Sequence, residues 1–236
     1  MRVIALDTTT RAGSVALVED DRVIDERAGD ASRTHAERLP AEIIALADAH
    51  DVALSDVDLY AVASGPGSFT GLRIGIATMQ GLAFVHRRRI VGIPALEALA
   101  HTQRADLSPG TLIAAWMDAH RRDVFTAVYR VTAAALCGAS RLEEVDAPTV
   151  GDPASTLGRW IDELGVRPAV FVGDGATLYE AEIRRATAGP RVIAHPLLAG
   201  TIGRLAIARA SDALDPANVR PLYVRKPDAE IARDKK

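Results

Sequence analysis

Two signals recur in this chain in the same order and at the same separation. An apolar strand pattern ends at Asp7 and again at Asp118, and an apolar run meets Gly65 and again Gly173, so both offsets are about 110 residues. Matched order and spacing predict two related halves, each a β-meander followed by helix, strand and helix. The break falls at 106–110, Asp-Leu-Ser-Pro-Gly, a turn-rich stretch after which the pattern begins again. The expected lobes are 1–106, with the first meander and a glycine loop, and 107–236, ending in an extended tail.

In the first half, 3–6 and 14–18 read as a hairpin around the polar turn 7–13, and Val23-Ile24 opens a third strand. Thr34 and Glu37 have capping-box spacing, and Leu39, Ile43, Leu46 and Ala47 recur on one helical face. Pro40 either kinks this helix or lies in its first turn. The buried-strand run 59–63 then leads into Gly65-Pro66-Gly67-Ser68-Phe69-Thr70-Gly71-Leu72-Arg73-Ile74-Gly75. A strand that enters a helix through a glycine turn leaves free N–H groups and a positive dipole end facing outward, which suits phosphate. The string nevertheless matches neither of the common phosphate-binding glycine patterns. Past it, Leu72, Ile76, Met79 and Ala83 form an apolar stripe, with Gly71, Gly75 and Thr78 as a stripe of small residues beside it. A glycine inside a helix costs about 1 kcal/mol relative to alanine, so Gly75 and Gly81 call for close approach by another backbone, the chain's own or a partner's. Arg87-Arg88-Arg89 end this helix, where cations suit the negative dipole end.

In the second half, 112–117 and 124–131 repeat the hairpin around the turn 119–123. The stretch 133–149 is weakly patterned and reads as an edge strand plus loop. Asp152-Pro153 starts a helix with Leu157, Trp160, Ile161 and Leu164 on one face, stopping at Gly165. A last helix is expected over about 198–214.

Asp7 and Asp118, on facing halves, are candidates to grip a metal-bound nucleotide, with Thr8, Gly65 and Gly67 supplying turn contacts to its phosphates. The rival reading has each aspartate bonding its own turn, and Asp118 ion-paired with Arg121 or Arg122. The six histidines show no metal-binding spacing, Ser68 lacks a nucleophile elbow, and the single Cys137 excludes an internal disulfide. No catalytic residue and no metal site is therefore assigned. A formal net charge of −3 supplies no general attraction to nucleic acid, so any RNA contact must be local or shared with a partner. With 48% apolar and 25% charged residues, a charge early in the N-terminal sequence and no membrane-spanning stretch, a cytoplasmic location is expected.

Four stretches together carry a resemblance: Ile4-Ala5-Leu6-Asp7-Thr8-Thr9-Thr10, the glycine string 65–75, Met117-Asp118-Ala119-His120-Arg121-Arg122-Asp123-Val124-Phe125, and Pro221-Leu222-Tyr223-Val224-Arg225. In content and order they resemble the bacterial TsaB (YeaZ) family. The resemblance implies an α/β fold of the actin/Hsp70-like (ASKHA, ribonuclease-H-type) kind, duplicated into two lobes. It also implies a role in forming N6-threonylcarbamoyladenosine next to the anticodon of tRNA. There a non-catalytic subunit binds and activates the TsaD transferase, TsaE supplies an ATPase, and tRNA is met only through the complex. ATP or ADP with magnesium is the expected cofactor, at the lobe cleft or at the interface within the complex. Related TsaD proteins carry an H-x-x-x-H metal pair where this chain has Ala95 and Leu99, so the transfer chemistry does not carry over. The resemblance further implies a helix-bundle interface with TsaD, or with a second copy, to which Leu39, Ile43, Leu72, Ile76 and Met79 are assigned. His120 departs from the arginine familiar at that place. The alternative is an independent actin-like ATPase using Asp7 and Asp118.

Overall fold

The computed structural model describes residues 1–103, 107–133 and 142–225; the expected boundary at Asp106, Cys137 and the charged C-terminal residues lie outside them. The first half runs β1 (Arg2–Asp7), β2 (Ser14–Glu19), β3 (Arg22–Ala28), α1 (His35–Asp48), β4 (Leu59–Gly65), α2 (Phe69–Val85), β5 (Arg89–Pro94) and α3 (Ala95–His101). The second repeats it as β6 (Leu112–Asp118), β7 (Val124–Val131), β8 (Leu142–Gly151), α4 (Pro153–Gly158), β9 (Val170–Val172), α5 (Asp174–Leu178), α6 (Glu180–Ala186), β10 (Arg191–Ile193) and α7 (Ala199–Ala208).

The sheets have matching orders, β3-β2-β1-β4-β5 and β8-β7-β6-β9-β10. In each, the first three strands are antiparallel and the last two join in parallel. This is the duplicated actin/Hsp70-like arrangement. The central strands β1 and β4 are buried on both faces, as their near-continuous apolar sequences require. One outer core forms where α1 and α2 cover the first sheet through Leu39, Ile43, Ile76 and Met79 against Ile4, Leu6, Tyr60 and Val62. Another lies outside the second sheet, where Trp116, Trp160 and Phe171 pack edge to face.

The central core departs from two self-contained lobes. α3, from the first half, packs on β6 and β7 of the second sheet, while α7, from the second half, packs on the first sheet with Ile202, Leu205 and Ala206 against Val3, Ala5 and Val18. Part of the segment assigned to the C-terminal lobe, 107–236, packs instead on the first sheet: α7 covers it, and the Leu222 N–H donates to the Ser64 carbonyl at 2.7 Å. Ser14 Oγ on β2 accepts from the Leu198 and Ala199 N–H groups at 3.2 and 3.0 Å, and Glu26 on β3 accepts from Gly200 N–H at 2.8 Å. These side chains satisfy donors that a helix N-terminus otherwise leaves open. α3 and α7 are tied to each other by a Glu97–Arg209 ion pair.

Local readings are adjusted in four places. α1 starts at His35, so Pro40 lies inside it, on its exposed side, and Glu37 Oε2 accepts from the Thr34 N–H at 2.8 Å as the capping spacing implied. The last helix ends at Ala208, with a short 3-10 turn over Ala210–Asp212. The weakly patterned stretch yields the edge strand β8, which the parity of its side chains hides because both of its faces are half-exposed. The short strand β10 carries no sequence signal of its own.

Candidate functional site

The glycine loop is closed by the first hairpin. A Cβ on Gly67 would stand 2.6 Å from Thr9 Cβ, one on Gly71 2.3 Å from the Thr8 carbonyl oxygen, and one on Gly75 2.2 Å from Thr8 Oγ1. The small-residue stripe of α2 is thus the bed for Thr8-Thr9 of this same chain. Two of the donors at this helix start are spent internally: Ser68 N–H goes to the Thr9 carbonyl at 2.8 Å, and Gly71 N–H to Ser68 Oγ at 3.2 Å. Gly65, at φ +117°, lies against the Leu222 carbonyl oxygen of the C-terminal tail, 2.7 Å from where a Cβ would be.

The two aspartates are similarly engaged. Asp7 is buried at the end of β1, and its Oδ1 accepts from the Thr9 N–H at 2.9 Å and hydroxyl at 2.7 Å. Burial pushes its carboxyl up against the pull of these bonds, which favour the charged form. Asp118 accepts from the His120 N–H at 2.8 Å, and the His120 ring lies 3.0 Å from its other oxygen, so His120 takes the place expected of Arg121 or Arg122. His120, Arg121 and Arg122 all hold positive φ, 57°, 57° and 67°, a strained left-handed turn. Arg225 of the tail braces that turn from outside, donating to the Ala119 carbonyl at 2.8 Å and pairing with Asp123. Asp7, Thr8, Gly65, Gly67 and Asp118 are therefore built into packed turns of this chain. Among the described residues no three His, Cys, Asp or Glu side chains gather to hold a metal ion. Ala95 and Leu99 are fully buried in the central core.

The assigned interface residues are corrected by their burial. Leu39, Ile43, Leu72, Ile76 and Met79 are each at most 4% exposed and point into the chain. Their stripe faces the first sheet; helical spacing marks an apolar face without saying which side the sheet lies on. The opposite side of the same two helices is exposed and also apolar, with Ile44 on α1 and Phe84 and Val85 on α2 at 49, 77 and 71%. Gly81 lies between Ala77 and Phe84 on that outer side, and a Cβ there would meet nothing within 4 Å.

Two groups escaped the sequence reading. Arg38, 2% exposed, donates to the Arg11 carbonyl at 3.2 Å and to that of Ala12, fixing the first hairpin's turn. Arg73 lies 4.0 Å above the Phe69 ring and donates to the Tyr223 hydroxyl at 2.9 Å, joining the glycine string to the Pro-Leu-Tyr-Val-Arg stretch. Both links span distances in sequence that no local pattern reports.

A family model described as TsaD, tRNA N6-adenosine threonylcarbamoyltransferase, matches residues 28–233. The Bacillus subtilis tRNA threonylcarbamoyladenosine biosynthesis protein TsaB is 31% identical over 185 residues, covering 78% of this chain and 75% of that protein. The Escherichia coli protein of the same name is 30% identical over 193 residues, 77% of this chain and 82% of its own length. The solved structure of YeaZ from Pseudomonas aeruginosa superposes with a TM-score of 0.74 at 27% identity, covering 94% of this chain and 99% of that one.

Proposed function

This chain belongs to the TsaB (YeaZ) family of tRNA threonylcarbamoyladenosine biosynthesis proteins, and from that premise we propose that it is the non-catalytic scaffold of the modifying complex, binding the TsaD transferase on the outer face of α1 and α2. The observation that carries this reading is Gly81. Gly71 and Gly75 are required by Thr8, but Gly81 has no contact inside the chain that would exclude a side chain, and it costs helix stability of about 1 kcal/mol. Phe84 stands three residues further along the helix, and Ile44 is exposed on α1; apolar side chains exposed in this way suit the core of an interface. A glycine on the same face lets a partner helix approach closely. The same face would take a second copy when the transferase is absent. Apolar Ala95 and Leu99 support leaving the transfer chemistry to the partner, and ATP or ADP with magnesium belongs in this reading to the assembly, with TsaE. Cytoplasmic residence goes with that role.

Reconstitution of the tRNA modification with and without this chain tests the scaffold role directly: modification that proceeds at the same rate without it would end the proposal. For the face itself, Phe84→Asp is expected to weaken retention of TsaD about thirtyfold or more while leaving the melting temperature of the free chain nearly unchanged. Undiminished retention by a normally folded variant would place the interface elsewhere. Ile76→Glu is unsuitable for this purpose, because Ile76 is core and its loss would unfold the chain first.

A further inference from the structure

The tail beyond α7 runs antiparallel along α2: Arg89 donates to the Ala213 carbonyl at 2.8 Å, Gln80 to those of Pro216 and Val219 at 2.6 and 3.2 Å, and Arg73 to Tyr223 at 2.9 Å. Along this seam lie Arg73 and Arg220 at one end and Arg89 at the other, with Arg87 just past the end of α2. Among the described residues none of these four has a carboxylate partner, although the chain as a whole is net negative. The acids of the tail are bonded locally: Asp215 accepts from Ala217 N–H at 2.9 Å and Asp212 from the Ser211 hydroxyl at 3.1 Å. Arg73 and Arg220 line an open cavity of about 340 Å³ that has no acidic lining residue. At that end Phe69 and Tyr223 present half-exposed rings 5.2 Å apart.

We propose that this seam binds the phosphate backbone of RNA, which on the reading above is the tRNA substrate of the complex. Arg73 lies in the second turn of α2 and Arg87 just past its end, so the guanidinium groups extend over about 20 Å. At about 3.4 Å per nucleotide along a strand, that length matches roughly six phosphates. Guanidinium groups pair with phosphate through two parallel hydrogen bonds, and aromatic rings beside them suit unstacked bases. An acidic protein would also be attracted, but it would present carboxylates as a patch, whereas these cations form a line with rings at one end. The line borders the outer face of α2, so RNA held on it would pass beside a partner docked there.

The test measures fluorescence anisotropy of a labelled tRNA transcript with adenosine next to its anticodon, against the full chain alone and mixed with TsaD, between about 50 and 200 mM salt. The variant Arg73→Gln/Arg87→Asn/Arg220→Gln is expected to flatten the slope of log affinity against log salt by about 2 and to weaken binding at least tenfold at the lowest salt. Arg87→Asn/Arg220→Gln keeps the Arg73–Tyr223 bond, and with it the tail, and is expected to lose about 1.5 of the slope. Unchanged slopes in both variants, no salt-dependent binding by the unaltered chain in either sample, or a loss of TsaD retention with RNA binding intact would each overturn the assignment. Because RNA binding is read on the chain alone, it can fail while the Phe84 result stands, and the reverse.

Discussion

Replacing Gly71 by alanine is expected to destabilise the chain by about 3 kcal/mol or to prevent folding, although helix propensity alone would make the change favourable by about 1 kcal/mol. The reversal comes from the Thr8 carbonyl oxygen, 2.3 Å from the new Cβ. A backbone oxygen at the end of β1 cannot step aside without disturbing the centre of the first sheet. Gly81→Ala is the internal control, because its Cβ enters open space and should stabilise the free chain by up to about 1 kcal/mol. Denaturant midpoints at equal m-values decide between them. If both substitutions moved stability the same way, close packing on Thr8 would not be the reason for the glycine at 71.

The second large effect concerns Glu97. Burial alone would raise its pKa, but His101, with Nε2 at 3.7 Å, and the Arg209 guanidinium outweigh burial and hold it down at about 2, from an ordinary value of 4.5. A depressed carboxylate stabilises the fold fully above its unfolded pKa and loses that contribution as pH falls through the folded one. The pair's support is thus complete above about pH 4.5 and fades toward pH 2. Glu97→Gln leaves the half-buried Arg209 charge without its partner and should cost about 3 kcal/mol at neutral pH. The gap between variant and parent should close on acidification. Denaturation curves collected from pH 7 down to about 2.5 measure it, and a gap independent of pH would show that the charge is not what the substitution removes. Replacing both Glu97 and Arg209 by leucine should recover much of the loss, since an apolar pair of similar volume avoids the buried charges.

The extent to which the sequence reveals this molecule follows from the range over which each feature is encoded. Strands β1, β4 and β6, the capping spacing of α1 and the recurrence of the aspartate and glycine signals are local, and they suffice for the duplicated fold. The burial of Leu72, Ile76 and Met79 is not legible because α2 is apolar on two sides: they look as suited to exposure as Gly81 and Phe84 until the sheet supplies a direction. The glycine loop is similar: Thr8-Thr9 pack against it, and nothing near residue 67 announces that a turn far earlier in the chain will lie there. Glu97 and Arg209 stand 112 positions apart, so the exchange of α3 and α7 between sheets has no local sign.

That exchange has a consequence for synthesis. The strands of the second sheet are contiguous, from Leu112 to Ile193, and α3, which covers their inner face, has already been made when they emerge. The first sheet is made earlier but lacks its own inner cover until α7 appears, and Gly65 lacks its tail neighbour until Leu222 arrives. The half that leaves the ribosome first is therefore the half that finishes last, exposing the inner faces of β1 and β4 in the interval.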